Sequence, residues 1–201
     1  MLSYLDPIIF PDDCEVLELP NNRYIYPIYK NGSSSLHQMN LPRVNSFDNI
    51  AVIDVLIREP KQRFLSGVST YLNNLDDSLD KDTALYFVKN YLFLNRHFCP
   101  QFYWLVNLRR FTKSKIRLLP FESINNITNI NQNKSPENYT DLDKYFGDKV
   151  EFYLQLDKVL YYDLINQTVS FEQILDSIES DYFELHKEVI QRSRELCNVL
   201  G

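Results

Sequence analysis

The chain has 201 residues, of which 44% are hydrophobic and 14% aromatic, enough for the core of one domain spanning residues 1–201. Its 4 glycines and 3 cysteines exclude collagen-like and disulfide-scaffold proteins, and its net charge of −6 argues against a nucleic-acid partner. An anionic ligand therefore requires a local cluster of donors.

The beginning of the chain and its cysteines predict the compartment. Residues 1–13 have no basic region followed by a long apolar stretch, as a signal peptide would. The sequence has no run of about 18 apolar residues, so no membrane span is predicted. Cys14, Cys99 and Cys197 are far apart and form no CxxC pair. We therefore expect a cytoplasmic protein with free thiols, no membrane association and no zinc site.

The first half of the chain contains two strand patterns. Residues 1–22, rich in proline and acidic residues, predict an irregular lead-in. Residues 23–29 are aromatic and β-branched and predict a strand, with Pro27 at an edge or near its end. Residues 50–57 form a nearly continuous apolar run, which is typical of a parallel strand covered on both faces. Pro60 then begins a helix with an apolar stripe.

The second half continues the alternation of strands and helices. A helix is predicted over 82–96, and strands over 102–106 and 116–119. The asparagine-rich residues 123–140 predict a long loop, and amphipathic helices are predicted from Ser170 onward. This order predicts an α/β fold with a central, mainly parallel sheet flanked by helices.

A candidate phosphate-binding loop lies between the first strand and a short helix that begins within the serines. Its residues are Lys30, Asn31, Gly32, Ser33, Ser34 and Ser35. Exposed backbone N–H groups, serine hydroxyls and a lysine ammonium suit a phosphate-type anion, and glycine lets the backbone approach it closely. The lysine precedes the glycine, so this is not a Walker A motif. A plain polar turn explains the same residues equally well.

A second candidate anion site follows the buried strand. Arg58 ends that strand, and Ser66 lies two turns into the following helix. A guanidinium and a hydroxyl so placed can converge on one phosphate. Lys61 and Arg63 are interpreted as surface charges, or Arg63 as a residue that ties down the loop. A capped helix after a core strand is the simpler alternative.

Taken together, these segments resemble sulfotransferases that use 3′-phosphoadenosine-5′-phosphosulfate (PAPS). Residues 29–34 are similar to the family's Pro-Lys-x-Gly-Ser/Thr-Ser/Thr motif. Residues 58–67 match Arg-x-Pro-x-x-Arg-hydrophobic-hydrophobic-Ser-Gly/Ala nearly throughout. Residues 97–101 resemble the His-Trp-x-Pro-Gln string of carbohydrate-type members, and residues 133–135 their Asn-x-Ser element.

The resemblance implies a P-loop-like three-layer domain and transfer of a sulfuryl group from PAPS to a hydroxyl or amine of a carbohydrate or small molecule. The product would be adenosine 3′,5′-bisphosphate, and no metal would be needed. Lys30 would stabilise the leaving phosphate. The residues implied to hold the donor are Lys30, Asn31, Gly32, Ser33, Ser34 and Ser35 for the 5′-phosphosulfate, and Arg58 and Ser66 for the 3′-phosphate.

The acceptor must lose a proton, so a general base is expected. His97 matches the third motif, although a histidine beside Phe98 is as often structural. His37 follows the phosphate loop, but an exposed helix position explains it more simply. Glu122 is a third candidate, with a salt bridge or a cap as its simpler role.

Two further features leave alternatives open. Residues 31–57 form a short interval between the two motifs, where many family members place acceptor-binding elements, so a non-catalytic nucleotide- or glycan-binding relative is the alternative. A nucleotide-dependent phosphoryl-transfer enzyme is disfavoured because Walker A is absent and no aspartate is placed as a magnesium ligand. Residues 109–117 contain five basic and no acidic side chains. They can steer an anion or form a solvated loop.

Overall fold

The computed structural model describes residues 15–44, 46–75, 80–91, 95–128 and 139–166. Four strands form one sheet in the order β1-β2-β3-β4. The first pair is antiparallel, and β2, β3 and β4 are parallel. The prediction of an α/β fold with a mainly parallel sheet is therefore confirmed. The strands are β1 (Leu17–Leu19), β2 (Arg23–Tyr26), β3 (Val52–Ile57) and β4 (Lys115–Pro120).

Helices follow or precede the strands along most of the described chain. They are α1 (Ser33–Gln38), α2 (Pro60–Asn73), α3 (Lys81–Tyr91), α4 (Gln101–Phe111), α5 (Ile124–Thr128), α6 (Thr140–Phe146) and α7 (Glu151–Asn166). Two 3₁₀ turns, Phe121–Ser123 and Gly147–Val150, precede α5 and α7. None of the described helices is long and apolar enough to cross a membrane.

The central strand β3 is buried, as its apolar run predicts. Ile53, Val55 and Ile57 belong to the larger hydrophobic cluster, which includes side chains of α2, α4 and α7. Leu56 belongs to a smaller cluster that contains Leu36 of α1 and Ile124 of α5 among others. Each buried aliphatic side chain of this size contributes about 1.5–3 kcal/mol.

A charged side chain at the centre of the sheet is neutralised by two arginines. Asp54 of β3 is 2% exposed and accepts hydrogen bonds from Arg23 of β2 at 2.8 Å and from Arg117 of β4 at 2.6 and 2.9 Å. These bonds raise the pKa of Arg117. Arg117, which belongs to the basic run of residues 109–117, therefore stabilises the sheet.

The start of α2 explains why the chain turns directly from strand to helix after residue 57. The Glu59 carboxylate accepts hydrogen bonds from the backbone N–H groups of Lys61 and Gln62, at 3.1 and 2.7 Å. Pro60 occupies the first helical position, where a missing N–H costs nothing. The helix predicted from Pro60 is confirmed, and it fixes where Ser66 lies relative to Arg58.

The prediction of a strand over 102–106 was wrong, because these residues form part of helix α4. Phe102, Tyr103, Leu105 and Val106 are all buried, so this helix is apolar on several sides and does not alternate with polar residues. A short apolar run of this kind is typical of a buried helix as well as of a strand.

Two stretches predicted to be irregular contain regular structure. Leu17–Leu19 of the expected lead-in form β1, which pairs with β2 through a turn at Asn21 and Asn22, whose φ angles are 66° and 55°. Such left-handed angles suit a tight hairpin, and asparagine tolerates them. Residues 124–128 of the expected loop form α5.

Other predicted boundaries shift or lie outside the described residues. The strand predicted over 23–29 is β2, which ends at Tyr26, directly before Pro27, as proline near a strand end predicts. The helix predicted over 82–96 is α3 (Lys81–Tyr91), and its predicted end was wrong, because residues 95 and 96 are not helical. Residues 129–138 of the predicted loop and the helices predicted from Ser170 onward lie outside the described part of the chain.

Candidate anion-binding site

The two predicted anion motifs meet beyond the carboxyl ends of β2 and β3. These parallel strands are neighbours, and Lys30 and Arg58 follow them. The Arg58 Nη1 group donates a hydrogen bond to the backbone carbonyl of Lys30 at 3.2 Å. In open α/β sheets, ligands bind at this edge. We call Lys30, Gly32, Arg58, Ser66, Thr70 and His97 the carboxyl-edge site.

The loop backbone is bent by two left-handed residues. Lys30 has a φ of 70° and Gly32 a φ of 84°. Gly32 caps α1 and has no side chain that could accept hydrogen bonds from the first N–H groups of that helix. Such N–H groups are natural donors for an anion. In this loop Ser33 is buried, Ser35 is half-buried and Ser34 is exposed.

Asn31 differs from its neighbours because its side chain is directed into the protein. It is 1% exposed, and its Nδ2 group donates to the Leu56 carbonyl at 2.7 Å and to Gln101 Oε1 at 2.5 Å. The side-chain amide of Asn31 thus links the loop to the sheet and to Gln101. Its backbone is the part that could still hold the donor as predicted.

Helix α2 brings hydroxyl groups to the same edge. The Lys30 ammonium forms a hydrogen bond with the Thr70 hydroxyl. Ser66 lies one helical turn before Thr70, so the two hydroxyls share a face of α2, and Ser66 is 8% exposed. Thr70 was not predicted as a site residue. Its position four residues after Ser66 was the available signal.

His97 lies against the same loop. Its ring stacks on Tyr29 with the centroids 5.4 Å apart. Burial lowers the pKa of His97 to about 4, and the positive charges of Lys30, Arg96 and Arg63 add to the effect. The imidazole is therefore neutral at pH 7 and can accept a proton.

The approach of the His97 segment to α2 depends on a glycine. A Cβ atom at Gly67 would lie 2.2 Å from the His97 carbonyl oxygen, closer than atoms can pack. Arg63 holds the same segment from the preceding turn, because its buried guanidinium donates to the Cys99 carbonyl. Arg63 is therefore a buried residue that ties down this loop, and the alternative interpretation as a surface charge was wrong. Lys61 is a surface charge paired with Asp143 at 2.7 Å.

The other two candidate bases have different surroundings. The His37 ring hydrogen-bonds through Nδ1 to the Ser33 carbonyl at 2.7 Å and through Nε2 to Glu15 at 3.0 Å. Glu122 is exposed in the 3₁₀ turn that precedes α5. His97 stacks on Tyr29, which precedes Lys30 in the chain, and the charge of Lys30 helps to lower its pKa, so we take His97 as the first candidate base.

The segment after β4 covers the carboxyl-edge site. The Phe121 ring lies under the Arg58 guanidinium, 5.2 Å from centroid to carbon. A Cβ atom at Gly32 would lie 2.0 Å from the terminal methyl of Ile124, so that methyl fills the space beside the glycine. A ligand that approaches Gly32 from this side must displace the end of one flexible side chain.

The opposite edge of the sheet has a separate cavity of about 690 Å³. It lies before β3 and β4 and is lined by Phe47, Asp48, Ile50, Ala51 and residues 109–114. We call it the amino-edge cavity. Its cations are Arg109, Arg110 and Lys113, and Arg109 donates to the Ser114 carbonyl at 3.0 Å.

The described residues contain no group of three or more histidine, cysteine, aspartate or glutamate side chains placed to bind a metal ion. In comparisons with known proteins, no family model, no curated protein and no solved structure matches the chain.

Proposed function

We propose that this protein is a PAPS-dependent sulfotransferase that transfers a sulfuryl group to a hydroxyl or amine of a carbohydrate or small-molecule acceptor. The observation that carries the proposal is the convergence of Lys30, Arg58, Ser66 and His97, from three separate motifs, at one edge of the sheet. The finer description of the fold, a P-loop-like three-layer domain, belongs to the same proposal.

The donor set fits a nucleotide that carries two anionic groups. The N–H groups after Gly32 and the Lys30 ammonium would hold the 5′-phosphosulfate, with hydroxyls from Ser33, Ser34 and Ser35. The Arg58 guanidinium and the Ser66 hydroxyl would hold the 3′-phosphate. These are the donor types that phosphate and sulfate oxygens accept best, with charged donors giving the strongest bonds.

The protein's own groups then have two tasks in the reaction. When bound, PAPS supplies the sulfuryl group, whose bond to the 5′-phosphate oxygen breaks as the acceptor atom forms its bond to sulfur. Lys30 neutralises charge on the phosphate oxygen that leaves. The His97 imidazole accepts the acceptor's proton: its low pKa keeps the ring neutral over the physiological range, while the same burial and positive charges make it a weak base.

A non-catalytic nucleotide-binding relative is the second candidate, and one observation favours it. Phe121 and Ile124 lie directly on Arg58 and Gly32, where a donor would bind. Both candidates must displace these side chains to bind a nucleotide, but only an enzyme must do so again in every turnover.

A thermal-shift titration with adenosine 3′,5′-bisphosphate tests the proposed ligand. A ligand that binds only the native state raises its stability by RT ln(1 + [L]/Kd). We expect stabilisation by the bisphosphate that is independent of magnesium and exceeds that by ATP, ADP or AMP. No shift, or a shift with ATP alone, would contradict the proposal.

Transfer from radiolabelled PAPS to a panel of hydroxylated acceptors separates the enzyme from its non-catalytic relative. Lys30→Ala is the informative variant. In an enzyme it should reduce the transfer rate far more than the affinity for PAPS, because the extra negative charge on the leaving oxygen develops only as its bond to sulfur breaks. Bisphosphate binding without transfer to any acceptor would favour the second candidate.

A further inference from the structure

A single buried amide binds the backbone of one anion motif and a side chain of the other. Gln101, the first residue of α4, is fully buried. Its Oε1 atom accepts from Asn31 Nδ2 at 2.5 Å and from the Arg58 backbone N–H at 2.9 Å. Its Nε2 group donates to the Arg58 carbonyl at 3.0 Å. The side chain thus pairs with both backbone groups of Arg58, as a neighbouring strand would.

The amide is itself held from α7. Asp157 Oδ2 accepts from the Gln101 backbone N–H at 2.8 Å and from its Nε2 group at 3.3 Å, while Oδ1 accepts from the Phe102 N–H at 3.0 Å. Burial raises the pKa of Asp157, and the nearby charge of Arg63 opposes that shift. The carboxyl group therefore caps α4 and orients Gln101 at once.

This arrangement permits only one orientation of the amide. Both lone-pair positions of Oε1 and both hydrogens of Nε2 have partners. A reversed amide would direct its N–H groups at the donors of Asn31 and Arg58. Because an unmade bond in a buried network is costly, Gln101 holds the Asn31 loop and residue 58 in a fixed relation.

We propose that Gln101 is a positioning residue that sets the spacing between the two anion subsites, the loop after Lys30 and the Arg58 guanidinium. The inference rests on the proposed function, because it assumes a ligand that engages both subsites. Such a ligand gains affinity from its second anion only when the two subsites are held at the matching distance. A ligand with one phosphate does not depend on that distance.

The test compares three ligands by calorimetric titration: adenosine 3′,5′-bisphosphate, 5′-AMP and 3′-AMP. In Gln101→Met, a side chain of similar length without hydrogen-bonding groups, we expect the bisphosphate affinity to fall at least tenfold. The affinities for the two monophosphates should change by no more than about twofold. An equal loss for all three ligands, or no loss, would overturn the inference, since a merely structural role predicts no change in their ratio.

Asn107→Leu is the matched control. Asn107 is also a buried amide of α4, and neither of its side-chain polar atoms has a hydrogen-bond partner within the described part of the chain. We expect this variant to keep the wild-type ratio of affinities whatever its effect on stability.

Asn31→Ala keeps the inference testable if Gln101→Met does not fold. This change removes the bonds from the loop to Gln101 and to the Leu56 carbonyl, and leaves the bonds between Gln101, Arg58 and Asp157 intact. The bisphosphate affinity should again fall more than either monophosphate affinity, and an unchanged ratio would count against the inference.

If the wild-type protein does not bind the bisphosphate, the proposed function fails and this inference fails with it. Wild-type binding with an unchanged ratio in the variants overturns this inference alone.

Discussion

The two edges of the sheet are both basic, but their cations have different surroundings. At the carboxyl-edge site, Lys30 bonds to Thr70, and Arg58 bonds to the Lys30 carbonyl and lies on Phe121. A buried network anchored by Asp157 lies behind these side chains. At the amino-edge cavity, Arg110 and Lys113 are exposed at and just beyond the end of α4, and the Arg110 guanidinium lies over the Phe111 ring, 5.9 Å from its centroid.

The comparison shows that charge density along the chain does not predict where the fold brings cations from different segments together. Residues 109–117 are the more basic segment in sequence, yet Arg117 neutralises Asp54 and Arg109 bonds to a nearby carbonyl. Lys30 and Arg58 lie far apart in sequence and are brought together by the sheet. Fixed donors lose little freedom when a ligand binds, so we expect the carboxyl-edge site to bind nucleotide and the amino-edge cavity not to.

Gly67→Ala should disturb the carboxyl-edge site more than any other change, because it removes the close packing that places His97 there. The added Cβ would meet a backbone carbonyl at 2.2 Å, so the His97 segment must move away from α2. We expect a loss of about 1–3 kcal/mol in the free energy of unfolding, measured by urea denaturation. Ser69→Ala in the same helix should change it by less than about 0.5 kcal/mol. Equal stabilities of the two variants would contradict the packing argument.

Charge removal at each edge tests the comparison directly. Arg58→Ala should lower the affinity for adenosine 3′,5′-bisphosphate about 10- to 100-fold, the value of one or two charge-assisted hydrogen bonds. The triple variant Arg109→Ala, Arg110→Ala, Lys113→Ala removes more charge but should change that affinity less than about twofold at physiological salt, where distant charges are screened. Calorimetry on both variants checks this. A larger effect of the triple variant would assign the nucleotide to the amino-edge cavity.

The pKa of His97 reports on the charges around a single side chain, and so distinguishes the carboxyl-edge site from the amino-edge cavity. The chain has 3 histidines, so NMR can follow each imidazole, with His97→Gln giving the assignment. We expect a pKa of about 4 for His97, because burial and then Lys30 disfavour the charged ring. Lys30→Met should raise this pKa, while Lys113→Met, at the other edge, should not. A pKa near 6.5 in the wild-type protein would contradict the described environment.

The same shift predicts how stability depends on pH. The folded pKa of His97 lies below the value near 6.5 expected in the unfolded chain, so the unfolded state binds the proton more readily. The contribution of the neutral ring to stability is therefore complete above pH about 6.5 and is lost as the pH falls to about 4. His97→Gln should reduce this part of the pH dependence in urea denaturation.

Local patterns predicted most of what positions the site. The apolar run of β3, Pro60 at the start of α2 and the glycine between strand and helix each carry their structural role in neighbouring residues. The network behind the site is different. The N-terminus of α4 is capped by Asp157, which is 56 residues beyond Gln101 in the chain. Without that distant carboxylate, the aromatic run at 102–106 favours a strand, and the prediction failed there for this reason.

The segment that carries His97 also contains a residue whose reactivity can report on motion at the carboxyl-edge site. Cys99 is a free, buried thiol two residues beyond His97, and burial raises its pKa to about 12. A thiol that is both protonated and enclosed does not react with disulfide reagents, so its labelling rate measures how often the segment that carries His97 opens away from α2. In a protein with Cys14 and Cys197 replaced by serine, a nucleotide that holds this segment against α2 should lower the labelling rate of Cys99. The rate would report on binding without any acceptor.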